Sequence, residues 1–480
     1  MNYKGSYQKN LDTLKKLLKS DDVCFLSVKA GESDATLIFA NDLVDKRSLG
    51  ELVVSPLKDL CGKPDEERIL NAILSPDKKK ADDIKDVAFQ IASGSAALIV
   101  DGTSRAFTLG LTKFEKRSIA EPPTSTVIKG PREGFVESLP VNISLLRRKL
   151  KTPELIVEEL KAGKYSQTQI SLCYINGIAD KKLVKEIKEK ITGIDIDAIL
   201  DSSYVAKFLG GHKTSVFKQV GNTEKPDILA ARILEGRVAV LVDGSPIALT
   251  VPYLLIEDFQ SPGDYYSSSY SATLARLIRL FAVCISILLP AFFVAAELFH
   301  LQLIPLSFLL TIVNSIKGIP LSPSYEMFFT LLIFEILNEA SVRMPKYVGM
   351  VVSIVGGLVL GETAVTAGII SAPALMIIAL SGICLYTVPE LEQSFSVIRL
   401  LFLVIGGAFG GYGLILLSAA FLIYITSFEN FSTPLAAPFS PLIVKDLKDG
   451  IYKGFFAEQN MRPLSIKNAN EIRLKKEDEK

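Results

Sequence analysis

The stretch Gly94–Leu109, GSAALIVDGTSRAFTL, returns at Gly236–Val251 as GRVAVLVDGSPIALTV. Seven of the sixteen positions are identical at a constant offset of 142. Upstream, Thr36–Arg47 (TLIFANDLVDKR) matches Ser171–Lys182 (SLCYINGIADKK) at an offset of 135, in the same order. The pattern is that of an internal duplication. In both copies an Asp-Gly pair, Asp101-Gly102 or Asp243-Gly244, separates two apolar runs. A primed two-residue turn needs positive φ at its centre, so this pattern predicts a β-hairpin. Turn chemistry accounts for both aspartates without a catalytic or metal-binding role. In each copy a short apolar strand ends in an Asn turn and enters a charged amphipathic helix, LVDKRSLGELVVSPL or ADKKLVKEIKEKI. The expectation is two soluble α/β (or α+β) subdomains, over residues 21–112 and 155–266, behind a polar helix in residues 1–20.

Between the copies, Arg117–Leu155 is rich in Pro, Gly and Thr and turns helical after Asn142. Pro122-Pro123 and Gly130-Pro131 interrupt regular structure, so residues 113–154 read as a linker followed by a helix. Arg147, Arg148 and Lys149 are expected on the solvated side of that helix. Gly130-Pro131-Arg132-Glu133 lacks the Lys-Ser/Thr of a phosphate-binding loop.

The second half is a different kind of sequence. The chain of 480 residues is 49% apolar and 22% charged, but between Leu277 and Ser440 only 13 of 164 residues are charged. Elsewhere the charged fraction is close to 29%. Residues 267–440 therefore read as an all-α helical transmembrane bundle, followed by a polar cytoplasmic tail over 441–480. Leu280–Phe299 is uncharged apart from Glu297. Twenty residues at 1.5 Å each reach about 30 Å, the thickness of a bilayer core. Arg276 and Arg279 precede it, as on a cytoplasmic flank. Leu301–Ile316, broken by Pro305 and Asn314, reads equally well as an interfacial or re-entrant helix. Val348–Gly361 is glycine-rich, Ala367–Val388 reads as a clean span, and Val397–Phe428 as one long helix or a helix bent at its glycines. Basic residues soon after the last span place the C-terminus with the N-terminus in the cytoplasm, leaving roughly four to six crossings open.

Charged side chains in an apolar span mark functional positions by default. Glu335, Glu339 and Arg343 lie at i, i+4, i+8 and share one helix face. With Glu362 they are the candidate pore or gating residues. The competing readings are a helix-end Glu339–Arg343 ion pair and a solvated loop at Glu362. Net charge is +1 and no basic patch stands out, which removes nucleic acid as a partner. Five scattered cysteines, odd in number, argue against a disulfide framework or a zinc site. No nucleophile–base constellation, metal-spaced cluster or phosphate loop is present, and His212 is a lone loop histidine, so neither enzyme, cofactor nor metal is expected. The polar N-terminus has no apolar core of a signal peptide, so the soluble part is expected in the cytoplasm. A secondary transporter would usually show inverted membrane repeats; the clear repeat here is in the soluble half.

At these residues the chain resembles the A subunit of the GerA-type spore germinant receptors. The inter-copy segment carries the family signature: Arg117, Glu121-Pro122, Gly130-Pro131-Arg132-Glu133 through Glu137, Asn142, and Arg147-Arg148. Thr223–Asp227, Gln260–Tyr266, Glu335–Ala340 and Val355–Gly361 extend the match, which runs from about residue 90 to 440. Where the family often has Arg, this chain has Lys225. The resemblance implies a nutrient receptor subunit in the spore inner membrane, working with a B-type multi-span subunit and a C-type lipoprotein subunit. It further implies self-association, with a pentamer as the implied form, into a nutrient-gated cation channel among membrane lipids. An A-type paralogue that amplifies the germination signal is the alternative within the family, and a secondary transporter subunit the alternative outside it.

Overall fold

The computed structural model describes residues 6–113, 129–212, 214–345, 349, 357, 361–455 and 458–473. The soluble half is built twice. Its first module contains strands β1 (Val23–Ala30), β2 (Ser33–Ala40), β3 (Lys78–Ala81), β4 (Ala96–Val100) and β5 (Ala106–Leu109), in the sheet order β1-β2-β4-β5-β3. The second contains β6 (Leu155–Ala162), β7 (Thr168–Ile175), β8 (Gly221–Thr223), β9 (Val238–Val242) and β10 (Ala248–Val251), in the order β6-β7-β9-β10-β8. The two orders are the same, and every pairing is antiparallel. Strands β2 and β7 start 135 residues apart, and β4 and β9 start 142 apart, the two offsets of the sequence repeat.

Both sheets are covered on both faces, which is why their central strands are continuous apolar runs rather than alternating ones. In the first module Leu98 and Val100 pack under the helical run 46–58, while Ala97 and Ile99 pack under α1 (Tyr7–Leu17) and α2 (Ile84–Ala92). In the second, Ala239 and Leu241 pack against α3 (Leu139–Lys149), and Val238 and Val240 against α4 (Lys181–Thr192) and α5 (Ser202–Leu209). A further helix, α6 (Pro226–Leu234), shares the α3 face through Leu229 and Ile233. Aspartates start α2, α4 and α5, where Asp83, Asp180 and Asp201 accept backbone N–H groups that helix geometry leaves unpaired.

Two expectations about the inter-copy segment are corrected. Its described part, from residue 129 on, is not a spacer: Phe135, Leu139, Ile143 and Leu146 are buried against the second sheet. Nor is Arg147 solvated. It is 2% exposed and makes a two-pronged ion pair with Asp22 of the first module. Ser20 Oγ accepts from Arg147 at 3.0 Å and from the Val157 amide at 2.8 Å. The pair thus ties the start of β1 to α3 and to β6.

The second half is a helical bundle. Helix α7 (Ser269–Phe299) is 31 residues long and packs along α10 (Ala372–Leu385) and α11 (Glu392–Thr426). Between them lie α8 (Leu306–Ile316) and α9 (Pro323–Arg343). Among the described residues, α7 and α11 are the two helices long and apolar enough to cross a membrane. The span expected over Ala367–Val388 is shorter than its apolar sequence: α10 has 14 residues, about 21 Å of helix. Ser371 sets its start by capping the Ala374 amide.

Helix α11 is two arms rather than one rod. Gly410 has φ 62° and ψ −150°, a conformation closed to residues with a Cβ. Phe402 and Phe421, nineteen positions apart and so about 28 Å apart along a straight helix, have ring centroids 6.0 Å apart. Arms 392–409 and 411–426 therefore fold back on each other, with Gly410 at the tip against the Phe299 ring. Gly406 lets α7 approach closely, since a Cβ there would sit 2.8 Å from the Ala291 carbonyl oxygen. The bundle exterior stays apolar and open, as at Phe281, Phe409, Ile415 and Ile423, each more than 60% exposed.

Candidate functional site

The bundle's charged centre is Arg399 on the first arm of α11. It is 1% exposed, and it donates to Glu335 of α9 and, at 2.9 Å, to Ser381 Oγ of α10. Ser381 donates in turn to the Ser286 carbonyl of α7 at 2.7 Å, and Ser396 donates to Glu335 at 2.8 Å. Four helices thus meet at one guanidinium, and the Phe334 ring lies beside it. A charge removed from water is tolerated only when paired and hydrogen-bonded, which is what this arrangement supplies. The sequence holds the signal: Arg399 is the single charged residue in 397–426. Its partners are not readable there.

The other candidates are placed elsewhere. Glu339 and Arg343 pair with each other at i, i+4 with both side chains mostly exposed. Glu335 turns inward to Arg399, so the three do not act as one group. Glu362 is exposed in the short helix Gly361–Thr366. Asn338 of α9 donates to Glu392 at 2.6 Å, which fixes the soluble-side end of α9 to the start of α11.

The signature residues build the soluble half. Asn142 grips the Val136 backbone at both its amide and its carbonyl, at 2.8 and 2.6 Å. Glu133 pairs with Arg148 and Lys149 at 3.2 and 3.0 Å. The Pro131 carbonyl accepts from the fully buried Lys225 at 2.8 Å, so the Lys at this position serves a buried backbone oxygen. Gly130 lies against the Tyr266 ring. The Glu137 carbonyl accepts from the Gly244 amide, and Asp243 accepts from the Leu139 amide, joining the second hairpin turn to the start of α3. That contact gives Asp243 a structural role, in line with turn chemistry. Arg117, Glu121 and Pro122 lie outside the described residues, as does most of the glycine-rich stretch 348–360.

A collar of buried ions joins the second module to α7. Arg276 and Arg279, one turn apart, both reach Asp264, and Arg276 also reaches Asp449 of the tail at 3.1 Å. Burial alone would raise the Asp264 carboxyl, but Arg279 and Arg276 hold it below the usual carboxylate range. Arg237 on the edge of β9 pairs with Glu257, which also lies 3.2 Å from Arg232 of α6. Those two guanidinium groups overcome burial and hold Glu257 low. Lys218 bridges Asp258 and Glu390, both at 2.8 Å, which links the soluble half to the start of α11. At the other end of α11, the Tyr424 hydroxyl donates to the Thr214 carbonyl and accepts from the Val216 amide. Between the modules, burial beside Asp22 pushes the Asp42 carboxyl up to about 6. Burial pushes the Cys173 thiol up to about 12, far from a thiolate. Among the described residues no group of three or more His, Cys, Asp or Glu is placed to hold a metal ion.

A duplicated sheet unit clamped to an apolar helical bundle with a buried ion pair at its centre defines a class: a two-module α/β region joined to a helical bundle with two long apolar helices among the described residues. Residues 12–465 match the family described as Bacillus/Clostridium GerA spore germination protein, and the chain belongs to that family. It is 36% identical to spore germination protein KA of Bacillus subtilis (strain 168), covering 98% of this chain and 89% of that one. It is 32% identical to spore germination protein GerQA of Bacillus cereus, over 98% and 95%. The membrane protein YfkQ of Bacillus subtilis is 34% identical over 84% and 79%. A crystal structure of the N-terminal domain of the A subunit of the Bacillus megaterium spore germinant receptor GerK3 aligns with 53% of this chain and 98% of that one, at 31% identity and TM-score 0.43. The chain is thus a member of the germinant-receptor A-subunit family, with a role in spore germination.

Proposed function

We propose that this chain is the A subunit of a nutrient receptor in the spore inner membrane, with its soluble modules and tail in the cytoplasm. It works with a B-type multi-span subunit and a C-type lipoprotein subunit, and copies of it associate around a common axis to form a nutrient-gated cation channel. The observation that carries this reading is Arg399, buried among four helices and paired with Glu335. In this reading, making and breaking that pair is the switch between closed and open arrangements. The collar at Asp264, Arg276 and Asp449 gives a rigid path from the soluble half to α7. In a symmetric ring the same side chains recur around the axis. Glu339 and Glu362, exposed in a single copy, are the carboxylates available to a cation path. Arg343 tunes Glu339 through their i, i+4 ion pair, while Glu335 acts through Arg399.

The test is co-reconstitution in planar bilayers, with and without the companion subunits, reading conductance as nutrients are added. Conductance is expected only from the complete complex. Glu339→Gln is expected to lower cation selectivity by roughly threefold or more at normal abundance. An assembled complex that passes no current under any nutrient would overturn the channel reading.

A further inference from the structure

We propose that the cavity enclosed by α6, the turns of residues 254–266 and the C-terminal tail is a binding site for a small organic cation carrying an amine or guanidinium group. The cavity has a volume of about 280 Å³ and adjoins a second of about 660 Å³, which shares Glu235, Asp449 and Arg473 with it and is walled largely by the tail. Sites for small ligands are commonly of this size. Five carboxylates reach the first cavity's wall: Asp227, Glu235, Glu257, Asp446 and Asp449. Three guanidinium groups oppose them, from Arg232, Arg237 and Arg473. Arg276, which contacts Asp449 from behind the wall, leaves the lining still negative.

Two carboxylate oxygens on this wall are shielded from solvent and lack a hydrogen bond, Glu257 Oε2 and Asp227 Oδ1. Glu257 Oε2 faces Arg232 at 3.2 Å while Oε1 accepts from Arg237, and Asp227 uses its other oxygen to accept from Tyr266 at 2.5 Å. A shielded acceptor without a donor, as at Asp227 Oδ1, is costly, and an N–H-bearing ligand would supply the donor. Burial, with Asp449 and Glu257 nearby, raises the Glu235 carboxyl, and burial raises Asp449. A bound cation would favour the ionised form of both. The Tyr265 ring and the aliphatic side chains of Ile228, Leu254 and Ile256 supply the apolar walls that hold an alkyl stem. Such a ligand bridges α6, the collar and the tail, so its occupancy would stabilise the collar itself.

The experiment uses the detergent-solubilised full-length chain and calorimetric titration with agmatine, which carries an amine at one end and a guanidinium at the other. Glutamate and potassium chloride are the controls. Agmatine is expected to bind with a dissociation constant of about 1 mM or tighter, and the controls not to bind. Glu235→Gln and Asp227→Asn are each expected to weaken agmatine roughly tenfold. Asp227→Asn keeps an acceptor for Tyr266 and tests the idea even if Glu235→Gln fails to fold. Absence of agmatine binding to folded wild type, glutamate binding as tight as agmatine, or unchanged affinity in every folded variant would each overturn the proposal. The readout is binding, so it stands apart from the conductance test.

Discussion

At the scale of single residues, the decisive chemistry is done by arginines paired far from their own neighbourhood. Arg147 and Asp22 are 2% and 1% exposed, and Ser20 completes the set. Truncating one partner of a buried pair leaves the other as an uncompensated charge, at about 3–5 kcal/mol. Arg147→Ala is therefore expected to destabilise the soluble half by that amount, read as a fall in unfolding temperature and faster proteolysis near residues 18–22. The double change Asp22→Leu with Arg147→Met removes both charges at similar volume and is expected to restore most of the loss. Equal loss in the single and double variants would assign the effect to packing rather than charge. Asp42 titrates near this pair with its carboxyl pushed up to about 6 by burial. Its contribution to stability is fully present below the unfolded value and is lost as pH rises through 6.

At the scale of elements, what could be read in the sequence depended on how local the cause was. The hairpins were readable because an Asp-Gly pair and its flanking apolar runs lie within sixteen residues, though in these turns only Gly102 and Gly244 take positive φ, so neither turn is the primed two-residue kind the pattern suggested. The shared sheet order was readable because the duplication kept both offsets. The burial of Arg147 was not, since Leu145–Leu150 has the same charge pattern whether its cations face water or a carboxylate 125 residues away. Arg399 stands out as the one charge in its apolar run, while its partners on α7, α9 and α10 are set by tertiary packing alone. The glycines of α11 left a long straight helix and a bent one both open, and the structure shows a reversal. That reversal rests on Gly410: a Cβ would add left-handed strain and sit 2.8 Å from the Phe299 ring. Gly410→Ala is expected to cost about 2–3 kcal/mol and to lower the yield of folded protein in detergent. Unchanged thermal stability in that variant would mean the arms are held apart by something other than the tip.

At the scale of the whole molecule, the bundle has two ends that the contacts identify. One end faces the soluble half: Arg276 of α7, Glu390 before α11 and Tyr424 at its close all touch it. The other end collects Phe299, Gly410, Ser324 and Ser371, since Gly410 meets Phe299, Ser324 meets Gly407, and the Ser371 amide donates to Glu326. Helix α7 therefore runs away from the soluble half, α9 and α10 run back toward it, and the two arms of α11 go out and return. The tail lies on the side of the soluble modules, where the Ala469 amide donates to the Ile178 carbonyl. In proteoliposomes made from a variant lacking the exposed thiols of Cys61 and Cys284, Tyr412→Cys and Lys448→Cys are expected to react with a membrane-impermeant maleimide from opposite faces. Tyr165→Cys, on the second module, is expected to label from the same face as Lys448→Cys. Labelling of Tyr412→Cys and Lys448→Cys from one face would mean that the arms of α11 enter and leave without crossing, and that the bundle lies against the bilayer rather than through it.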